Sequence, residues 1–148
     1  MSAAPPRSRQ GLVSSWVAQM VGTLVLCGAV IVFMKAVGKP FVAGDSDWRH
    51  YAMAGILLGA APALVYLRWY KIILDQDLRL ERAREGAPDP AARRLLQRSL
   101  VLGGALCEIP MAMGIVQLYF GGETRWFLGA TLVTIALRLG YRPFNRKR

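Results

Sequence analysis

The chain has 148 residues, of which 54% are hydrophobic and 19% are charged, and its formal net charge is +10. The charged residues form blocks that separate long apolar runs, whereas a soluble domain interleaves charged and apolar residues at helix or strand period. This pattern excludes an ordinary soluble domain. It also argues against nucleic acid as a partner, because the Lys and Arg residues flank apolar runs and do not form one soluble face.

Four apolar runs predict an all-α integral membrane protein, a four-helix bundle of two antiparallel hairpins. A tail at 1–14 precedes the transmembrane domain at 15–141, and a basic tail follows at 142–148. The four helices are expected at about 15–37, 49–68, 90–120 and 124–141. Gly121-Gly122 marks a very short turn between the last two helices.

The second helix is expected to extend beyond the membrane to residue 85, because this stretch is rich in helix-forming residues. Asp89-Pro90 is typical of an N-cap followed by proline at the first helical position, so the third helix begins there. Helices 2 and 3 therefore extend into the cytoplasm as a basic hairpin, 69–98. Its role stays open between membrane orientation and docking of a protein partner. Four leucines are positioned to hold the hairpin together: Leu74, Leu78, Leu95 and Leu96.

The distribution of basic residues predicts the orientation of the chain. Two Lys or Arg residues lie in the N-terminal tail, eight in segment 68–98 and five from Arg138 onwards, against four elsewhere. Cytoplasmic loops carry the excess of Lys and Arg, and an even number of spans returns the chain to its starting side. We therefore expect a multi-pass protein of a bacterial cytoplasmic (inner) membrane with both termini in the cytoplasm.

Glu108 lies in the middle of the third apolar run, where a carboxylate costs several kcal/mol unless it is neutral, paired or hydrated. Pro110 frees the carbonyl of Leu106 close by. Counted from the turn between helices 3 and 4, Glu108 and Arg138 lie at similar depths, about 18 and 20 Å. One interpretation is a Glu108–Arg138 ion pair or a neutral, hydrogen-bonded Glu108. The other is a proton or ion site at Glu108, with Arg138 reaching the headgroups.

Four further residues in the apolar runs are predicted to pack helices together. Gly55 and Gly59 are four residues apart, so they share a face that permits close approach of another helix. Gln19 and Gln117 are expected to form interhelical hydrogen bonds. Pro62 is expected to kink the second helix.

No catalytic residue, cofactor or metal site is predicted. The chain has no Gly-rich phosphate loop, no nucleophile elbow and no HExxH motif. Its one histidine, His50, lies in a predicted loop near Asp45 and Asp47, which are too few ligands for a fixed metal site. We therefore expect no enzyme, and a membrane-embedded lipid enzyme is the weakest alternative.

The segment from Leu100 to Arg148 resembles a group of small uncharacterised bacterial four-helix membrane proteins. The resemblance rests on Ala105-Leu106-Cys107-Glu108-Ile109-Pro110, Gly114-Ile115-Val116, Gly121-Gly122 and Arg142-Pro143. It implies the fold and no activity. A looser similarity joins Gly55, Gly59 and Glu108 to the proteolipid (c-ring) subunit of rotary ATPases, and it implies proton transport. The long connector between helices 2 and 3 departs from that family.

Function is therefore expected in one of two classes. The first is a non-enzymatic inner-membrane protein, either an accessory or assembly subunit or a self-associating helix bundle. Its partners would be the lipid bilayer and a protein partner or a second copy. The second is a proton- or ion-handling membrane protein that uses Glu108.

Overall fold

The computed structural model describes residues 9–38, 47–84 and 89–143. Within these residues the fold is all helical, with six segments. They are α1 (Gln10–Val37), α2 (Asp47–Leu58), α3 (Ala60–Ala83), α4 (Pro90–Cys107), α5 (Ile109–Tyr119) and α6 (Thr124–Gly140). The segments α2–α3 and α4–α5 are each one helix interrupted at a single residue, so the described chain forms four helical rods.

The first rod is longer than expected. It begins at Gln10, so the last five residues assigned to the N-terminal tail are helical. It ends at Gly38, which has φ 68 and donates its N–H to the Met34 carbonyl at 3.1 Å. This left-handed terminus is favourable for glycine, which has no Cβ to clash.

Each interruption precedes a proline. The α2–α3 break lies at Gly59, three residues before Pro62, and the α4–α5 break lies at Glu108, two residues before Pro110. A proline supplies no N–H to the carbonyl four residues earlier, so the helix loosens in the preceding turn. The two breaks face each other, because a Cβ on Gly59 would lie 2.8 Å from the Ile109 Cγ2.

The α6 helix packs against four of the other segments: α1, α3, α4 and α5. Small residues allow this close approach. A Cβ on Gly114 of α5 would lie 3.0 Å from the Ala130 Cβ of α6. The buried side chains of α6 include Thr131, Thr134 and Arg138, so the helix brings polar groups into the interior.

The buried apolar residues form two clusters. The larger one lies between α3, α4 and α6 and includes Tyr70, Leu96, Leu100 and Tyr141. The smaller one lies near the α5–α6 turn and is built on Met111, Leu118 and Phe127. The α1 helix contributes Leu12 to the larger cluster, and its half-buried Cys27, Val30, Ile31 and Met34 pack against the smaller one, although only 11% of its most apolar window is fully buried.

Three helices are long and apolar enough to cross a membrane: Gln10–Val37, Asp47–Ala83 and Pro90–Tyr119. The fourth rod, α6, has 17 residues. Its rise of about 25 Å is somewhat shorter than the hydrocarbon thickness of a bilayer. Arg138 shortens the apolar part further, because it interrupts the run two residues before the helix ends.

The hairpin expected at 69–98 is formed by the end of α3 and the start of α4, and its tip at 85–88 lies outside the described residues. Leu74 and Leu96 are buried in the larger apolar cluster and Leu78 packs against it. The prediction for Leu95 was wrong, because its side chain is 51% exposed. A helix with 3.6 residues per turn cannot direct both Leu95 and Leu96 to one partner.

Two other expectations also change. His50 lies in the first turns of α2, which begins at Asp47, so it is not in a loop, and Asp45 lies outside the described residues. Asp89 occupies the N-cap position of α4, as its sequence predicts, but makes no capping hydrogen bond with its side chain. That side chain accepts a hydrogen bond from Arg84 at 3.1 Å.

Candidate functional site

A polar cluster lies inside the bundle where α1, α6 and the α4–α5 break meet. We call it the Glu108 cluster, and it consists of Gln19, Thr23, Glu108 and Arg138. Arg138 forms an ion pair with Oε1 of Glu108. The same oxygen accepts a hydrogen bond from the Thr23 hydroxyl at 3.1 Å. Arg138 also donates to the Gln19 side-chain oxygen at 3.1 Å. Three of the four rods therefore supply a polar group to one point.

The local backbone positions each member of the cluster. Gln19 and Thr23 are four residues apart on α1, so their side chains share a face. The Thr23 hydroxyl also lies 3.0 Å from the Gln19 carbonyl oxygen, and this contact sets its rotamer. Gly104 makes room for Gln19, because a Cβ there would collide with the Gln19 side-chain oxygen. The Trp16 indole of α1 donates to the Arg138 carbonyl of α6 at 2.9 Å, so this bond also joins α1 to α6.

Burial differs across the ion pair. The Arg138 side chain is 6% exposed, whereas that of Glu108 is 34% exposed. The guanidinium is therefore enclosed by the bundle, and the carboxylate reaches its surface. Removing one member of a buried pair leaves an uncompensated charge, which is the costly outcome. The arrangement can join three helices, and it can also present a carboxylate oxygen at the bundle surface.

The other residues singled out from the sequence lie elsewhere. Gly55 and Gly59 contact α5, since a Cβ on Gly55 would meet the Met113 side chain. Their shared face is therefore covered within the chain. Gln117 packs against the α5–α6 turn, where its carbonyl accepts the Gly122 N–H at 2.9 Å. Its side-chain oxygen has no hydrogen-bond partner among the described residues, so it does not make the interhelical bond that was expected.

A second group of charges lies at the other end of the α3–α4 pair. We call it the Asp77 cluster, and it consists of Arg9, Asp77, Glu81 and Arg93. Asp77 is 1% exposed and lies 3.4 Å from both Arg9 and Arg93. Glu81 is in ion-pair contact with Arg9, and lies 3.6 Å from Arg93. Two arginines therefore neutralise two carboxylates from different directions.

The Asp77 cluster gathers distant parts of the chain. Arg9 precedes α1, Asp77 and Glu81 lie on α3, and Arg93 lies on α4. Arg9 also donates to the Pro143 carbonyl at 3.4 Å, which brings in the segment after α6. Sequence reasoning treated these arginines as orienting or docking charges and missed the cluster. The available signal was the four-residue spacing of Asp77 and Glu81, which puts both acids on one helix face.

Two tyrosines lie between these polar clusters. The rings of Tyr70 and Tyr141 are 5.0 Å apart, and the Tyr141 hydroxyl donates to the Ala63 carbonyl. Tyr70 acts as a buried ring in the larger apolar cluster.

The described residues contain no group of three or more His, Cys, Asp and Glu side chains placed to hold a metal ion. Glu108 has an arginine, a threonine and a glutamine around it. This set stabilises a carboxylate and offers no activated nucleophile. Its chemistry is charge neutralisation inside a helix bundle.

Comparison with known proteins finds no family model, curated protein or solved structure that matches this chain.

Proposed function

We propose that this protein is a non-enzymatic assembly subunit of a bacterial inner membrane, a four-helix bundle that pairs with a second copy through the outer face of α1. The observation that carries the proposal is a stripe of small residues on that face. The proposal has three parts: the membrane setting, the cytoplasmic position of both termini and the pairing of two copies. Each part has its own support.

The α1 stripe follows alternating steps of four and three residues along the helix. Its small residues are Gly11, Ser15, Ala18, Gly22, Ala29 and Ala36, and the larger Val25 and Val32 occupy the two remaining positions. Every member except Ser15 is exposed, and Ser15 is half-buried. Such spacing keeps one face towards a partner helix over many turns. Small side chains let two backbones approach closely, which is the main source of helix association in lipid.

The rest of the bundle leaves the α1 stripe uncovered. The contacts of α1 within the chain lie on another face of the helix, formed by Leu12, Trp16, Gln19, Thr23, Cys27, Val30, Ile31 and Met34. No atom from elsewhere in the described chain lies within 4 Å of a Cβ placed on Gly11 or Gly22. The Gly55/Gly59 face, by contrast, is occupied by α5. The α1 stripe is therefore a small-residue face available to a second copy.

The membrane setting is supported by the three long apolar helices and by the exposed apolar residues on them. In water such a surface would aggregate, whereas hydrocarbon solvates it. We take α6 as the fourth pass, because it is antiparallel to α5 through a short turn and packs against four segments. Its Arg138 is neutralised by Glu108, which makes a charge at that depth tolerable.

Cysteine cross-linking in native membranes tests the pairing. In a Cys27→Ser/Cys107→Ala background, Ala29→Cys places a thiol on the α1 stripe. Leu24→Cys places one on another exposed face of α1, about 7.5 Å away along the helix axis. A symmetric pair should give a disulfide-linked dimer with Ala29→Cys and much less with Leu24→Cys. Equal yields from both, or a monomer in lipid nanodiscs at physiological density, would overturn the pairing.

A second candidate function is proton or ion handling at Glu108, and one observation favours it. The Glu108 side chain is 34% exposed although its partner Arg138 is enclosed, so a carboxylate oxygen is accessible from the bundle surface. Intramembrane carboxylates commonly mark ion and proton paths. The test is flux into liposomes containing the protein. Glu108→Gln should abolish the flux and Glu123→Gln, in the exposed α5–α6 turn, should preserve it; unchanged flux with Glu108→Gln removes this candidate.

A further inference from the structure

A shallow, open groove runs along the exposed face of α4, and its six lining residues all belong to that helix: Arg94, Gln97, Arg98, Val101, Leu102 and Ala105. Its two ends differ in chemistry. The first half carries two guanidinium groups and a carboxamide, and the second half is apolar. The change occurs near residue 100, where the sequence predicts that the third helix enters hydrocarbon.

The two arginines of this groove are available to bind an anion. Arg94 and Arg98 are exposed, and neither forms an ion pair with a described carboxylate. Their neighbours on the hairpin differ, because Arg93 lies against Asp77 and Arg84 against Asp89. Residues four apart on a helix have Cβ atoms about 6 Å apart, so both guanidinium groups can contact one phosphate.

The register of the α3–α4 hairpin places Arg94 and Arg98 near the membrane boundary. Tyr66 of α3 hydrogen-bonds to Ser99 of α4 at 3.1 Å, and Asp77 lies 3.4 Å from Arg93. Arg98 therefore lies close to the depth of Arg68 of α3, where the second helix is predicted to leave the hydrocarbon. Arg94 lies about one turn further out, between the depths of Lys71 and Gln76.

We propose that the α4 groove binds one anionic glycerophospholipid from the cytoplasmic leaflet. Arg94 and Arg98 hold its phosphate, Gln97 donates to a glycerol ester carbonyl, and an acyl chain lies along Val101, Leu102 and Ala105. No carboxylate lines the groove to accept a choline or ethanolamine cation, so an anionic headgroup is preferred. The inference rests on the proposed membrane setting but does not depend on pairing through α1.

The experiment uses delipidated full-length protein in mild detergent and native mass spectrometry. Short-chain phosphatidylglycerol, short-chain phosphatidylcholine and soluble glycerol phosphate are titrated separately. We expect phosphatidylglycerol to bind tightly and the other two ligands to bind at least tenfold more weakly. Arg94→Gln/Arg98→Gln should weaken phosphatidylglycerol binding roughly thirtyfold, which corresponds to about fivefold for each basic residue removed.

The matched control is Arg68→Gln/Lys71→Gln, which removes two exposed positive charges at similar depths on α3. This control should leave the affinity within about twofold of the parent, because those residues do not line the groove. The comparison of lipids in the parent protein needs no variant, so it decides the question even if a variant folds poorly.

Three results would overturn the lipid site. Equal loss of affinity in both double variants means diffuse charge attraction. Equal binding of glycerol phosphate and phosphatidylglycerol means a free phosphate site. Equal binding of phosphatidylglycerol and phosphatidylcholine means that the arginines do not select the headgroup. Carbonate extraction of cell membranes distinguishes failure of the lipid site from failure of the proposed membrane setting. A protein that carbonate releases from the membranes would refute the membrane setting itself.

Discussion

Arg138 of α6 is ion-paired with Glu108 at the α4–α5 break, and the pair is completed by Gln19 and Thr23 of α1. The pair joins consecutive antiparallel helices, and the α1 groups attach a third rod to them. This relationship explains how two charges coexist within apolar runs. It also links the stability of the bundle to the position of α1, whose outer face carries the proposed pairing stripe.

The first prediction concerns Arg138. Arg138→Gln should destabilise the folded protein by about 3 kcal/mol, because it leaves the Glu108 carboxylate without its cation. Glu108→Gln should cost at least as much, because it leaves the 6%-exposed Arg138 guanidinium without its carboxylate. SDS-induced unfolding in mixed micelles, followed by tryptophan fluorescence, measures the differences.

The double variant Glu108→Gln/Arg138→Gln isolates the interaction between the two residues. The loss of unfolding free energy in the double variant should be smaller than the sum of the two single losses by at least about 1 kcal/mol. Strictly additive losses would mean that the two side chains do not stabilise each other in the folded protein.

The second prediction compares two aspartates of α3. Asp77→Asn should destabilise the protein by about 3–5 kcal/mol, because the 1%-exposed carboxylate neutralises Arg9 and Arg93. Asp75→Asn removes an exposed partner of Arg79 and should change stability by less than about 1 kcal/mol. Thermal unfolding in detergent, with circular dichroism, distinguishes the two. Similar effects would show that the Asp77 cluster contributes no more than a surface pair.

The third prediction concerns the contacting tyrosines Tyr70 and Tyr141, whose rings are tilted against each other. Tyr141→Phe should cost about 1 kcal/mol, because the Ala63 carbonyl loses its hydroxyl donor. Tyr70→Phe should be neutral or slightly stabilising, since the Tyr70 hydroxyl is buried without a hydrogen-bond partner among the described residues. The same unfolding assay at pH 7 reports both values. A clear loss with Tyr70→Phe would reveal a bond to that hydroxyl.

The fourth prediction concerns the contact between the two helix breaks. Gly59→Leu should destabilise the bundle by about 2 kcal/mol or more, because the added side chain meets Ile109 and the Pro110 backbone. Gly129→Leu on α6 is the matched control, since nothing lies within 4 Å of its Cβ position. The control should fold as the parent does. If both variants unfold alike, the cost comes from the backbone preference of glycine and not from packing.

Much of the local structure was predictable from the chain. The four rods follow from apolar runs bounded by charge, and the two breaks follow from Pro62 and Pro110. The similar depth of Glu108 and Arg138 follows from the fixed rise of a helix counted from a short turn. These features are local, since each depends on spacing along one helix or on two helices joined by a short connection.

The contacts between distant helices were decided by the tertiary structure. Arg9 and Glu81 are 72 positions apart, and Thr23 and Glu108 are 85 apart, so spacing along the chain carries no signal for either contact. The Gly55/Gly59 face was predictable as a packing face, but its partner, α5, was not.

The sequence by itself determined that the chain makes long apolar helices with charge at their ends, because hydropathy and helix period are properties of the residues alone. Only the tertiary structure decided which polar groups meet inside the bundle and which helix faces remain open. The physical reason is that burial and pairing depend on how the rods are rotated against one another, and that rotation is set by all of their packing contacts together.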